Sequence, residues 1–254
     1  KVPYFKDYGL EEKVKNILIA SGFSEIYTYG LISEQELTDA GFNPENILRI
    51  DNPVRREYEY LRPTLKINLM KSIMQNKPNF EKINIFELGK VYLGKNLDEA
   101  KEMYCLSGIS NAKNYYEIKG IIGTLFEKLG IKDEPSKYIE VFSEGIIFEL
   151  NYSQILKNAN FNKTFKPLPK YPPIVEDLSI IAYENIKTSD LISEMKDQSS
   201  LIVDVSLLDQ FENSRTFHVT YQDKNKNLTG EDVVKIREKI LKKLREKFHA
   251  TLKG

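Results

Sequence analysis

The spacing of apolar residues predicts alternating helices and strands over the first 166 residues. Gly22 and Gly130 follow helical patterns at the positions where a glycine ends a helix in the left-handed conformation. Ser33 and Glu36 form a capping-box pattern, which predicts a short helix that ends at Gly41. The other predicted elements are helices that begin at Tyr8, Pro63 and Tyr115, and strands at 26–32, 83–94, 103–110 and within 138–150.

Four prolines between residues 167 and 173 exclude a helix or a central strand and predict a domain boundary, with domains at 1–166 and 167–254. Beyond them the pattern predicts the order βαββαβ, which is typical of a ferredoxin-like sandwich. The chain as a whole is therefore predicted to be α+β. The predicted elements of the second domain are strands Leu178–Ala182, Ile202–Leu208, Thr216–Tyr221 and His249–Lys253, and helices Ser189–Lys196 and Glu231–Lys247.

The composition fits a globular protein, with 41% hydrophobic and 29% charged residues. Basic and acidic residues each number 37, so attraction to an anionic partner must come from local clustering. Cys105 is the only cysteine and has no disulfide partner, which predicts a reducing, cytoplasmic location. No run reaches the roughly 18 apolar residues of a membrane helix. Because the chain begins with Lys1, we expect upstream domains in the natural protein.

Signs of catalytic chemistry are few. The 13 glycines form neither a dinucleotide-binding nor a phosphate-binding loop. The two histidines, His218 and His249, lack the spacing of a metal site, and Cys105 is expected to be a buried strand residue rather than a nucleophile. We therefore predict no catalytic residue and no metal ligand. The one cluster that suggests a small-molecule ligase site groups Arg55, Arg56 and Arg62 with Glu57 and Glu59, and a charged rim or a subunit contact is the alternative interpretation.

The last twenty residues carry local positive charge, with eight basic and two acidic side chains. Such a stripe can neutralise phosphates and predicts RNA binding, although basic residues near a helix C-terminus also favour the helix dipole and solubility. The predicted open face of the second sheet adds polar residues on which an unstacked base can rest. The predicted RNA-binding residues are Arg215, His218, Thr220, Lys239, Lys242, Lys243 and Arg245.

Several segments resemble the bacterial phenylalanyl-tRNA synthetase β subunit family. "DNPVRREYEYLRPTL" and "INIFELGKVY" are similar to its Asn-Pro, Leu-Arg-x-Ser/Thr-Leu and Phe-Glu-x-Gly-x-Val-Phe/Tyr words, and "GFSEIYTYGLIS" and "YYEIKGIIGTLF" resemble its flanking segments. "YPPIVEDLSII", "VDVSLLDQF" and "NLTGEDVVKIREKI" resemble the ferredoxin-fold anticodon-binding domain of the same family. The chain departs from the family in lacking its Gly-x-x-Gly-x-x-His-Pro segment.

The resemblance implies a class II synthetase-like module that lacks the arginine needed to hold ATP, because the strand offers Lys90 instead. It implies that the module docks a catalytic α subunit and that the second domain binds the anticodon arm of tRNA-Phe. ATP and Mg²⁺ would then be used by the assembled hetero-oligomer. The expected interface residues are Arg62, Phe86, Glu87 and Tyr92. A free-standing RNA-binding module is the alternative function.

Overall fold

The computed structural model of the protein describes residues 8–160 and 167–253. The chain divides into two compact units, residues 1–163 and residues 164–254. Each unit combines helices with a mainly antiparallel sheet, so the predicted α+β class is confirmed. Within the described ranges, no helix is both long and apolar enough to cross a membrane.

The first unit is built on a five-stranded sheet with the order β1-β4-β5-β7-β6. β1 pairs with β4 in parallel, and the other pairs are antiparallel. A separate two-stranded pair joins β2 and β3. The elements are α1 (Tyr8–Ala20), β1 (Ser24–Glu25), β2 (Leu31–Ile32), α2 (Glu34–Asp39), β3 (Tyr60–Leu61), α3 (Lys66–Asn76), β4 (Asn84–Leu93), β5 (Lys101–Ser110), α4 (Tyr115–Leu129), β6 (Ile139–Phe142), β7 (Gly145–Asn151) and α5 (Tyr152–Asn158), with 3₁₀ turns at Pro44–Asn46, Arg56–Tyr58 and Pro135–Tyr138.

Apolar residues cover both faces of this sheet. Phe86 and Leu88 of β4 pack on one face against the buried stripes of α1 and α4. Val91 of β4 and Cys105 of β5 pack on the other face against Leu65 and the buried residues of α3. Successive strand residues point to opposite faces, so these two layers use alternate positions of the same strand.

The helix ends agree with the sequence prediction where the signal is local. α1 is followed by Gly22 with φ +86°, and α4 is followed by Gly130 with φ +66°. The capping box of Ser33 and Glu36 is formed at the start of α2, as predicted. These three features depend on residues a few positions apart, which explains why the sequence alone sufficed.

Two predictions in the first unit were wrong, and one helix was missed. Of the strand expected at 26–32, only Leu31–Ile32 (β2) is a strand, and β1 precedes that range. The carbonyls of Thr28 and Tyr29 accept hydrogen bonds from the side chains of Arg62 and Asn68 instead of from a neighbouring strand. Pro63 does not start a helix, since α3 begins at Lys66. The helix α5 was not predicted; Asn151 caps it by accepting a hydrogen bond from the Gln154 backbone.

The second unit has the predicted order βαββαβ and a four-stranded antiparallel sheet, β11-β8-β10-β9. Both of its helices pack against one face of that sheet in a single apolar core. The last strand is shorter than predicted, because His249 adopts a left-handed conformation and caps the preceding helix. The elements are β8 (Ile174–Ile181), α6 (Thr188–Asp197), β9 (Ile202–Phe211), β10 (Ser214–Tyr221), α7 (Gly230–Phe248) and β11 (Thr251–Leu252).

Candidate subunit-docking and RNA-binding surfaces

A buried ion pair joins Arg62 to Glu87 of β4 on the sheet face that α3 covers. Arg62 Nη2 donates to Glu87 Oε1 at 2.8 Å, and the two residues are only 4% and 1% exposed. Thr28 completes the network: its Oγ1 accepts from Arg62 Nη1 at 2.7 Å and donates to Glu87 Oε2 at 2.5 Å. Arg62 Nε donates to the carbonyl oxygen of Lys90 at 2.9 Å. The buried charges thus satisfy each other rather than a ligand.

A second carboxylate on the same sheet face holds the residues just after Arg62. Glu149 of β7 aligns with Ser107 of β5, which in turn aligns with Glu87. Thr64 Oγ1 donates to Glu149 at 2.8 Å, and the backbone N–H of Leu65 donates to it at 3.0 Å. Burial raises the pKa of the Glu149 carboxyl, and the hydrogen bond from Thr64 opposes that rise. We call residues 62–65 with Glu87 and Glu149 the sheet clamp.

Gly89 makes room for the sheet clamp. A Cβ atom at this position would lie 2.6 Å from Arg62 Nη2 and 2.8 Å from Glu87 Oε1. Both distances are shorter than real side chains tolerate, so any larger residue would displace the ion pair. The glycine in the Phe-Glu-x-Gly word therefore has a packing role.

The clamp corrects the predicted subunit interface. Arg62, Phe86 and Glu87 are buried within the first unit and are not available to a partner's surface. Phe86 and Glu87 point inward because they lie on the two covered faces of β4. The Arg62 side chain is buried because it pairs with the Glu87 carboxylate. Tyr92 is half-buried, so only part of this side chain can contribute to an interface.

The predicted ligase cluster does not form a single site. Arg62 joins the sheet clamp, and Glu59 pairs with Arg49. Arg55, Arg56 and Glu57 remain exposed on a short loop. Across the described ranges, no group of three or more His, Cys, Asp or Glu side chains is arranged to hold a metal ion.

Cys105 is buried on β5, as the sequence predicted. Desolvation by burial raises the pKa of its thiol to about 12, and Glu149 adds to that rise. A thiol with such a pKa carries almost no thiolate near neutral pH, so it lacks the reactivity of a nucleophile.

In the second unit, β10 alternates between the apolar core and an open sheet face. Phe217 and Val219 are buried, whereas Thr216, His218 and Thr220 point away from the helices and are partly exposed. His218 Nδ1 lies 2.7 Å from Asp177 Oδ1 of β8. The predicted RNA-binding residues His218 and Thr220 therefore lie side by side on one accessible surface.

This open face carries more acidic charge than expected. In register, Asp177 lies opposite His218, while Asp204 and Asp209 of β9 lie opposite Thr220 and Thr216. Phe211 is 67% exposed at the end of β9, aligned with Ser214. Asp209 and Phe211 follow a register shift of β9 that lies just after Leu207, and this shift breaks the strict alternation on which a sequence prediction depends.

The burial of β9 is also less regular than a strict alternation. Val203, Val205 and Leu207 alternate with polar residues in the sequence, but only Val205 is buried. Val203 lies at a second register shift, between the pairs Asp204–Thr220 and Ile202–Tyr221, whereas Leu207 stays opposite the buried Phe217 beside the first shift. Nothing in the local sequence marks either shift.

Arg215 is a second correction, because it is buried rather than open to a phosphate. Its Nη1 donates to the carbonyl oxygen of Ile186 at 2.7 Å, and Nη2 donates to that of Tyr183 at 3.5 Å. Arg215 lies between two open-face positions of β10, so the strand alternation turns it toward the helices. It ties β10 to the loop after β8.

The basic residues of α7 that were predicted to bind RNA lie on the helix face that points away from the sheet. Lys239, Lys242 and Arg245 are exposed, while Lys243 pairs with Glu246 at 2.8 Å. No ion pair of Lys239 or Arg245 is found among the described residues. Because α7 packs against the covered face, the two halves of the predicted RNA-binding set lie on opposite sides of the unit.

Comparison with known proteins identifies the family of both units. Residues 3–162 match the family described as "Phenylalanyl tRNA synthetase beta chain CLM domain". Residues 169–253 match the family described as "Ferredoxin-fold anticodon binding domain". The chain belongs to the phenylalanyl-tRNA synthetase β chain family. The resemblance inferred from the sequence words is confirmed, and a free-standing RNA-binding module is not favoured.

The similar curated proteins are phenylalanine–tRNA ligase β subunits. Those of Clostridium acetobutylicum and Clostridium tetani are 27% and 26% identical, each over 96% of this chain and 37% of the relative. That of Geobacillus kaustophilus is 23% identical over 95% of this chain and 37% of the relative. The chain thus spans a little over a third of these proteins. A solved pyrrolysyl-tRNA synthetase from Desulfitobacterium hafniense aligns with a TM-score of 0.43 and 18% identity, over 58% of this chain and 67% of that one.

Proposed function

We propose that the chain is part of a phenylalanine–tRNA ligase β subunit and supports the ATP-dependent charging of tRNA-Phe. In this proposal the first unit docks the catalytic α subunit without contributing catalytic residues, and the second unit binds the anticodon arm. The observation that carries it is the pair of family matches, in the family's order, over residues 3–162 and 169–253.

The non-catalytic role of the first unit is supported by the sheet clamp. Binding the α-phosphate of ATP on β4 would require a guanidinium that is free to form charge-assisted hydrogen bonds. Arg62 is the guanidinium next to this strand, and Glu87, Thr28 and the Lys90 carbonyl already use its donors. Arg62 is therefore not available to hold ATP, which supports assigning ATP and Mg²⁺ to the partner.

RNA binding by the second unit is supported on both of its surfaces. On the open face, exposed Phe211 offers a ring for stacking. Asp177 is paired with His218 and Asp204 with Lys196, so only the second oxygen of each carboxylate can accept from a base amino group. On α7, Lys239 and Arg245 are free to contact phosphates. The open face is thus suited to bases and the helix to the RNA backbone.

Two measurements test the proposal. The chain alone should form no phenylalanyl-adenylate, and pyrophosphate exchange should appear only when the α subunit is added. Exchange by the purified chain alone would refute the non-catalytic role.

The second measurement is the salt dependence of tRNA-Phe binding, followed by fluorescence anisotropy. Lys239→Glu and Arg245→Glu should each weaken binding and lower the slope of log affinity against log salt by about 1. Lys101→Glu, an exposed change in the first unit, is the charge-matched control. Equal slopes for all three variants would exclude α7 from the phosphate contacts.

A further inference from the structure

The helix α6 in the second unit begins without a side-chain cap. Its N-cap residue is Lys187, which makes no capping hydrogen bond, whereas serine, threonine, aspartate and asparagine are the usual residues at this position. The backbone N–H groups of Thr188 and Ser189 have no hydrogen-bond acceptor within the ranges that the structure describes. They lie at the positive end of the helix dipole, where backbone N–H groups can bind a phosphate.

A buried arginine ends next to the same helix N-terminus. Arg215 is only 3% exposed. Its Nη1 donates at 2.7 Å to the carbonyl of Ile186, the residue before Lys187, and its Nη2 donates at 3.5 Å to the carbonyl of Tyr183. In the described part of the chain, its Nε has no hydrogen-bond partner and its guanidinium pairs with no carboxylate. Because a buried arginine is normally paired with an anion, Arg215 leaves an uncompensated positive charge beneath the start of α6.

The exposed side chains around this end of α6 carry charges of both signs. Lys187 is exposed, and Glu184 and Asp190 are its exposed acidic neighbours. Asp190 also interacts electrostatically with the ammonium of Lys247 in α7. Water and salt screen these exposed charges strongly, whereas the buried guanidinium of Arg215 is screened much less. The preference of this end for an anion therefore depends on Arg215 and on the backbone N–H groups.

The start of α6 lies between the two surfaces of the second unit that are suited to RNA. On one side, the Ala182 N–H donates to the Asn213 carbonyl at 3.0 Å, which joins the loop before α6 to the hairpin that carries Phe211. On the other side, Lys247 Nζ lies 2.7 Å from Glu194 Oε2, which places the last turn of α7 beside α6. RNA that runs from the open sheet face to the basic side of α7 can therefore pass over this end.

We propose that the N-terminus of α6, with Arg215 beneath it, is a phosphate-binding site, and that the phosphate it binds belongs to the RNA backbone. The phosphate oxygens accept from the backbone N–H groups of Thr188 and Ser189, and Arg215 contributes its charge from below without direct contact. The RNA part of this inference rests on the proposed function, whereas phosphate binding by itself does not. A free phosphate ion presents the same oxygens to these donors, so the experiment has to separate the two sources.

The first test compares two substitutions at Thr188 in the binding of tRNA-Phe, followed by fluorescence anisotropy. Thr188→Pro removes one backbone N–H, and the extended conformation of Lys187, with ψ 136°, is the one that a following proline favours, so the helix should still begin there. Binding should weaken about 10-fold, as expected for one charge-assisted hydrogen bond. Thr188→Ala keeps the N–H and should bind like the wild type. Circular dichroism would verify that both variants are folded.

The second test adds inorganic phosphate to the chain and follows the amide signals of Thr188 and Ser189 by NMR. Both signals should shift in the wild type, and bound tRNA-Phe should prevent the shifts. In Arg215→Met the affinity for phosphate should fall about 3-fold or more, because a nearby unit charge is lost. Arg237→Met removes another guanidinium of the second unit, which pairs with Glu176, and this charge-matched control should keep the wild-type affinity.

The outcomes separate the site from its ligand. Phosphate-induced shifts together with equal tRNA-Phe affinity in Thr188→Pro and Thr188→Ala would assign the site to a free phosphate ion and overturn the RNA part. No shift at either amide, with equal tRNA-Phe affinity in the two variants, would overturn the site itself. A wild-type chain that binds no tRNA-Phe would overturn RNA binding in the proposed function, while phosphate-induced shifts would still support the site.

Discussion

Removing Arg62 should destabilise the first unit far more than removing an equally short ion pair at the surface. In Arg62→Ala, the Glu87 carboxylate stays buried and keeps only Thr28 as a side-chain partner. Leaving one member of a buried pair uncompensated costs about 3–5 kcal/mol. Domains of this size have total stabilities of roughly 5–15 kcal/mol, so the loss is a large fraction of what holds the unit folded.

The matched control is the exposed ion pair of Lys90, which lies on β4 like Glu87. Lys90 Nζ and Glu102 Oε2 are 2.7 Å apart, almost the same distance as Arg62 and Glu87, but both side chains are well exposed. Lys90→Ala should therefore cost less than about 1 kcal/mol. The Lys90 carbonyl that accepts from Arg62 is unaffected by this change. The comparison isolates burial as the variable.

Urea unfolding read out by thiol labelling provides a probe of the first unit alone. Cys105 is the only cysteine of the chain and lies opposite Gly89 on the neighbouring strand, so it becomes reactive only when this sheet opens. With a urea slope of about 2 kcal/mol/M, Arg62→Ala should lower the midpoint by about 2 M. Restricting the readout to one unit avoids the overlap of two unfolding transitions.

Two results would refute this account of the clamp. The first is a cost for Arg62→Ala that equals the cost for Lys90→Ala. The second concerns the double variant Arg62→Met with Glu87→Leu, which removes both charges and keeps apolar volume. It should recover most of the stability lost in Arg62→Ala, because replacing a buried pair by hydrophobic residues is often neutral or stabilising. No recovery would show that the loss came from packing rather than from the unpaired charge.

Three further predictions follow from local geometry. Gly89→Ala should cost about 1–3 kcal/mol because its Cβ collides with the ion pair, whereas Gly120→Ala, with open space in α4, should stabilise by about 0.5–1 kcal/mol; denaturant midpoints compare the two. Cys105, whose thiol pKa is raised to about 12, should resist a disulfide reagent at pH 8 until the protein is denatured, and reaction in the native state would contradict its burial. Thr229→Ala removes the N-cap of α7 and should cost about 1 kcal/mol in chemical unfolding followed by circular dichroism; no change would mean that the cap does not stabilise the helix.

The sequence predicted elements well where the determinants are close together. The ends of α4 follow from Gly130 after the helix and from the apolar spacing within it. The βαββαβ order of the second unit follows from the hydrophobic pattern alone, because its apolar residues alternate in the strands and repeat every three to four positions in the helices.

Predictions failed where the determinant is distant in sequence. Glu149, more than eighty positions after Pro63, accepts a hydrogen bond from the backbone N–H of Leu65, and α3 begins only at Lys66. Nothing in the sequence near Pro63 indicates this contact. The burial of Arg62 likewise depends on Glu87, which lies 25 residues away. Arg215 was expected to be exposed because the hydrophobic pattern of β10 does not reveal that its guanidinium reaches the carbonyl of Ile186.

The sheet clamp also explains why family words located the correct residues but suggested the wrong role. Leu-Arg-x-Thr-Leu and Phe-Glu-x-Gly are two halves of one buried contact, in which Arg62 meets Glu87 over the space left by Gly89. A match to such words is therefore evidence about the fold. A binding role has to be argued from side chains that the fold leaves exposed and unpaired.

That argument also limits how the second unit can hold RNA. His218 and Thr220 lie on the open face of the sheet, whereas Lys239 and Arg245 lie on the outer side of the helix that covers the opposite face. The thickness of a helix alone is about 10–12 Å, so one nucleotide cannot touch both sets. If both sets bind the same RNA, the RNA must pass around an edge of the unit, with bases toward the sheet and phosphates toward the helix. Because the sets share no partner, changes in the two should then add in free energy.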